Sequence, residues 1–155
     1  MTDNTAKFTT AMAARAFMTA GNSTVTMVSV KTGTRYTYKI RANDDGDVFF
    51  VSLLRGADNT ADYSYLGRIS SSGVFYAGRK NPKPGDTSPT APSSVAFDWA
   101  WGRLYRGVLL DSLEIWHEGR CGRCNRKLTV PASIASGLGP ECASKEGFTA
   151  SWAGF

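Results

Sequence analysis

The side chains best equipped for chemistry gather in one stretch: His117, Cys121, Cys124 and Cys142 are the only histidine and all three cysteines of the chain. Their spacing, H-x3-C-x2-C-x17-C, supplies one imidazole and three sulfurs, a full tetrahedral set for a zinc ion. Cys121 and Cys124 flank Gly122-Arg123, a tight turn that lets both thiolates face one ion. Other uses of these residues fit less well. A redox CxxC needs a βαβ framework, whereas the surroundings here are polar and rich in glycine and arginine. A disulfide scheme would leave one thiol over, and the polar start MTDNTAKFTT does not read as a signal peptide.

A catalytic zinc keeps one position open for water and works beside a general base. Four candidate ligands, three of them thiolates, favour a closed structural ion instead. Glu118 and Pro140-Glu141-Cys142 only faintly echo the zinc deaminases, because the H-x-E is absent and the CxxC lies upstream. Arg120, Arg123, Arg126 and Lys127 surround the knuckle. They can serve as partners for sulfurs whose complex carries a net charge of about −1, as phosphate contacts, or as a protein-facing patch.

The segment around these ligands, HEGRCGRCNRKLTVPASIASGLGPECA, resembles a small zinc-ribbon domain of unknown function. That domain recurs in bacteriophage and bacterial proteins, including the ends of larger DNA-processing proteins. The residues that carry the likeness are Cys121, Cys124, Leu128, Thr129, Pro131, Ser133, Ile134, Gly137, Gly139, Pro140 and Cys142, with His117 upstream. The resemblance implies the same metal ligands and a phage or prophage origin, and it implies no activity. Locally, Pro140 suits the first position of a helix, with Cys142 in its first turn. The layout reads as a treble clef or ribbon. Leu128, Val130, Ile134 and Leu138 are too few to fold alone, so one structural zinc is expected to hold the unit together.

The remaining chain must supply the body that positions this unit. It has 155 residues, 42% hydrophobic and 12% aromatic, enough for one core. The fold expected is α+β: a twisted antiparallel sheet of about five strands flanked by two helices, able to close partly into a barrel. A first helix is read over 5–20, with Phe8, Met12 and Ala16 on one face and Gly21 ending it. Strands follow over 25–30, 35–41, 48–54, 63–69 and 74–77, with a hairpin turn at Lys31-Thr32-Gly33-Thr34. Asn43-Asp44-Asp45-Gly46-Asp47 reads as a turn, since it lacks the other ligand positions of a calcium loop. The proline-rich stretch 80–93 reads as an exposed linker or a long loop. Ser94 is read as the cap of a second helix carrying Phe97, Trp101, Leu104 and Val108 on one face. Two units are expected, an α+β domain over 1–110 and a zinc-binding unit with an aromatic tail, Trp152 and Phe155, over 111–155.

On the second strand, Tyr36, Tyr38 and Ile40 alternate with Arg35, Thr37, Lys39 and Arg41. Arg35, Lys39 and Arg41 therefore share a face that either is simply solvated or tracks phosphates. Tyr36, Tyr38, Tyr63 and Tyr65 fit a core, or a base-stacking set as in single-strand binders. Eighteen Lys+Arg against 13 Asp+Glu give a formal net charge of +5, compatible with nucleic acid and short of a polybasic tail.

No catalytic constellation emerges. The only histidine is a proposed ligand, and no P-loop or dinucleotide fingerprint is present. The function expected is that of a small non-enzymatic, phage-type accessory protein in the cytoplasm of a bacterial host. Such a protein would bind a host nucleic-acid-handling or defence complex as an inhibitor or modulator. The alternative is a nucleic-acid-binding zinc module of phage DNA or RNA metabolism, and the weakest option a zinc enzyme acting on nucleic acid.

Overall fold

The computed structural model describes residues 7–55 and 63–117. The elements run α1 (Ala11–Met18), β1 (Asn22–Ser29), β2 (Arg35–Ala42), β3 (Phe49–Leu54), β4 (Tyr63–Ile69), β5 (Phe75–Ala77), α2 (Pro92–Tyr105) and β6 (Leu113–His117). The strands form one open antiparallel sheet in the order β5-β4-β3-β2-β1-β6. The architecture is therefore α+β, as the alternating pattern implies. The sheet is not a barrel, and it holds a sixth strand. Leu113–His117 pairs with β1, so the residues leading into the cysteine window are part of the sheet itself.

Period-two patterning sets which side of each strand meets the core. Val25 and Met27, Tyr38 and Ile40, and Val51 and Leu53 are buried on one side, and Ile115 joins them from β6. Both helices lie on that side. Phe97 of α2 packs edge-on to Tyr38 with ring centres 4.9 Å apart and lies 4.8 Å from Phe75. The Tyr38 hydroxyl donates to the Ser93 carbonyl at 2.8 Å, tying β2 to the first turn of α2. Burial, and then the neighbouring Tyr36, push the Tyr38 phenol well above its usual pKa, so the hydroxyl stays a donor.

Helix α1 is shorter than the 5–20 reading. Residues ahead of it belong to the sheet edge: the Phe8 amide donates to the Ile115 carbonyl at 2.9 Å, and Lys7 bridges to Trp116. Thr10 caps the helix by accepting from the Ala13 amide. Its buried face is Ala11, Ala14, Phe17 and Met18, nearly opposite the expected stripe; Met12 is 49% exposed. Phe8 fits a helical stripe by spacing but is buried at the sheet edge, ahead of the helix.

Helix α2 starts at Pro92 with Ala91 preceding it, so Ser94 is not its cap; the Ser94 hydroxyl donates instead to the Ser88 carbonyl at 2.7 Å. Phe97, Ala100, Trp101 and Leu104 form the buried stripe, while Val108 falls beyond the helix end and is exposed. The loop after β5 is pinned rather than loose. Arg79 and Asp86 form a bidentate pair at 2.8 and 2.9 Å, and the Thr87 amide donates to the Tyr65 carbonyl. The Asn43 side chain accepts from the Asp47 and Val48 amides, and Gly46 takes φ +75°, so the acidic 43–47 stretch is a turn.

Candidate functional site

The helices cover one face of the sheet, and among the described residues no element is layered on the other. Its side chains are those that alternate with the core: Arg35, Thr37, Lys39 and Arg41 on β2, Phe50, Ser52 and Leu54 on β3, and their partners on the neighbouring strands. Strand register arranges them into rows running across the sheet, because directly paired residues project to the same side. In one row Tyr76 of β5 lies opposite Arg68, Arg68 opposite Phe50, Phe50 opposite Arg41, and Arg41 opposite Asn22. The row alternates ring, guanidinium, ring, guanidinium. In the next, Tyr65 lies opposite Ser52, Ser52 opposite Lys39, and Lys39 opposite Thr24.

A bulge makes the second row possible. Val51 pairs with Gly67 but Ser52 pairs with Tyr65, so Leu66 is the extra residue and is fully buried. Without that shift Tyr65 would fall out of step with β3. Gly67 is required at the same place: a Cβ there would run into the Tyr76 carbonyl and come within 2.8 Å of the Phe75 ring.

Cations lie against most of these rings. The Arg68 guanidinium carbon is 4.9 Å from the Tyr76 ring centre, that of Arg79 is 4.0 Å from Tyr65, and the Lys39 ammonium is 5.4 Å from Tyr63. Phe50 and Tyr76 are 43% and 47% exposed. Burial raises the Tyr65 phenol pKa against the lowering pull of Arg79 and Arg68, so this ring stays neutral. The backbone amide of Lys83, then the Arg79 guanidinium, hold the Asp86 carboxyl below its ordinary range.

The charge on this face is mostly positive. Across the six strands the cations are Arg35, Lys39, Arg41 and Arg68, and the only carboxylate is Glu114. Glu114 stands at the far edge, 3.8 Å from the Lys7 ammonium and accepting from the Trp116 indole N–H at 3.2 Å. A shallow cavity of about 760 Å³ lies on this side between Arg35, Leu54, Glu114 and Trp116.

The proposed metal ligands are divided. His117 ends β6, opposite Val25, and is 5% exposed, its ring 5.4 Å from Phe8 and 5.5 Å from Phe17. Two aromatic rings thus hold an imidazole at the point where the chain leaves the sheet. Cys121, Cys124 and Cys142 lie outside the described residues, as do Arg120, Arg123, Arg126, Lys127, Trp152 and Phe155. Among the described residues no three His, Cys, Asp or Glu side chains cluster, as expected where His117 is the one member of the set within them. The donor set suits zinc by its chemistry.

Of the cations singled out on the sheet, Arg35, Lys39 and Arg41 do share the open face, and only Tyr38 of the tyrosine set is fully core. Sequence reasoning did not find Phe50, Arg68, Arg79 or Tyr76. Phe50 sits in the run FFVSLL, where no polar alternation separates the faces. Arg68 and Tyr76 acquire meaning only through register.

Fold and site together define an α+β protein with one sheet covered on one face and bearing rings and cations on the other. Residues 115–147 match the model of DUF6011, a family of unknown function, in a segment that begins within β6 and includes all four proposed ligands. No curated protein and no solved structure matches the chain.

Proposed function

We propose that the protein is a non-enzymatic nucleic-acid-binding module whose open sheet face contacts the ligand and whose C-terminal segment folds around one structural zinc. The observation that carries this reading is the cross-strand row in which Tyr76, Arg68, Phe50 and Arg41 alternate. Rings offer surfaces for bases, and cations meet phosphates. His117, Cys121, Cys124 and Cys142 hold the metal, consistent with their falling together inside the matched segment. With the histidine bound to zinc, the commonest general base is removed, which favours binding over catalysis. Among the described residues no helix is long and apolar enough to cross a membrane.

Equilibrium binding of labelled single- and double-stranded oligonucleotides over a range of salt tests the binding claim. Four strand cations predict a log–log salt slope of about −2 to −3 for a single strand. No binding at low salt would refute the reading. Metal analysis tests the other half: one zinc per chain is expected, and Cys124→Ser lowers it below one. Full retention of zinc would refute the ligand set.

One observation favours a second reading, an accessory protein docked on a host nucleic-acid-handling or defence complex. An apolar groove of about 710 Å³ runs between α2 and the ends of β1, β2 and β6, past Met27, Tyr36, Val95, Trp99 and Leu113. Trp99 is 39% exposed there. A stoichiometric partner recovered from infected host cells and lost in Trp99→Asp would support it.

A further inference from the structure

We infer that the row Tyr76, Arg68, Phe50, Arg41 is a track for one strand of unpaired nucleic acid, with bases lying on Phe50 and Tyr76 and phosphates on Arg41 and Arg68. The inference rests on the nucleic-acid reading and narrows it to a ligand class and an axis. The strand lies across the sheet along the row between β5 and β2.

Phe50 and Tyr76 are two strands apart, so their positions are separated by about 10 Å, with Arg68 between them. Rings and cations therefore recur along the row, as bases and phosphates recur along a single strand. A ring can accept only a base whose face is free, and in a duplex each face is taken by the base pairs above and below. The exposed rings of Phe50 and Tyr76 thus select unpaired bases.

Arg41 and Arg68 flank Phe50 on either side, and Lys39 stands in the adjoining row. The only carboxylate of the strands, Glu114, is on β6 at the opposite edge, already approached by Lys7. The charged side chains of β2 to β5 are all cations, while Asp86, paired with Arg79, places one carboxylate near Tyr65. Arg68 lies over Tyr76, so a strand using both would draw the guanidinium off the ring toward a phosphate. Stacking and phosphate contact use features that DNA and RNA share, so both are expected to bind within a few-fold of one another.

Fluorescence anisotropy with labelled oligo-dT, oligo-rU and a mixed-sequence duplex provides the test, using the full zinc-loaded chain. Tighter binding to both single strands than to duplex is expected. Phe50→Ala and Tyr76→Ala should each weaken single-strand binding about 5- to 150-fold, and Arg41→Ala should reduce the salt slope by about 0.7. Phe50→Trp should retain binding, which separates loss of the ring from loss of the fold. Arg106→Ala removes an exposed cation beyond α2 and should change binding little. If the protein binds oligonucleotides but is indifferent to Phe50→Ala and Tyr76→Ala, or prefers duplex, this track is wrong while the broader reading stands. If it binds none of the three, both fail.

Discussion

On the covered face, Tyr38, Phe75 and Phe97 close on one another beneath α2; on the open face, Phe50, Tyr65 and Tyr76 are interleaved with arginine and lysine. The residue types overlap and one sheet supplies both faces, with Phe97 added from α2. What differs is the second layer. Two helices exclude water from one side, so rings there gain from burial and from each other. Among the described residues nothing equivalent covers the other side, where the rings are held by cations and strand register. An aromatic residue in a strand therefore carries no fixed role, and its partner across the ladder and the layer above it decide between packing and recognition.

The contrast can be broken most forcefully from the covered side. Phe97→Ala removes the ring that meets both Tyr38 and Phe75 and should cost about 3–5 kcal/mol of stability by denaturant unfolding. A loss below about 1 kcal/mol would mean that α2 is not the main cover. Next is Gly67→Ala, where the added methyl collides with the Tyr76 backbone and the Phe75 ring. A cost of about 1–3 kcal/mol is expected, together with loss of amide protection in β5, because the bulge geometry that aligns Tyr65 and Tyr76 would be displaced.

A smaller effect comes from pH. The Tyr38 pKa is raised in the fold, so its burial contributes fully below the unfolded tyrosine pKa of about 10 and is lost as pH rises beyond it. Tyr38→Phe should flatten that alkaline slope while losing about 1 kcal/mol with the Ser93 hydrogen bond. An unchanged slope would move the titrating group elsewhere. Smallest is Phe50→Ala, which on the open face should alter stability by no more than about 0.5 kcal/mol. A large destabilisation would show that Phe50 is structural after all.

The elements were mostly legible in the sequence because period-two alternation is strong in 25–30 and 35–41, and because Gly33 and Gly46 mark turns with positive φ. The face shared by Arg35, Lys39 and Arg41 could also be read, since one strand suffices to define it. The first helix was overread because Phe8 fits a helical stripe and an edge pairing equally well, and only Ile115 distinguishes them. β6 was missed as a sheet strand because LEIWH directly precedes the metal window and lies far in sequence from β1. The ring-and-cation rows were invisible because they depend on which residue of β3 meets which of β4. The bulge at Leu66 shifts that answer by one, and no local pattern announces it.

We propose that the two faces do different work, one closed on itself and one open to a ligand. The most direct measurement is an NMR titration of the zinc-loaded protein with a short oligo-dT strand, following backbone amides. The account predicts shifts on β2, β3, β4 and β5, centred on Arg41, Phe50, Arg68 and Tyr76, with Val95 and Trp99 of α2 unmoved. Shifts confined to α2 and its groove, or none at saturating oligonucleotide, would contradict it.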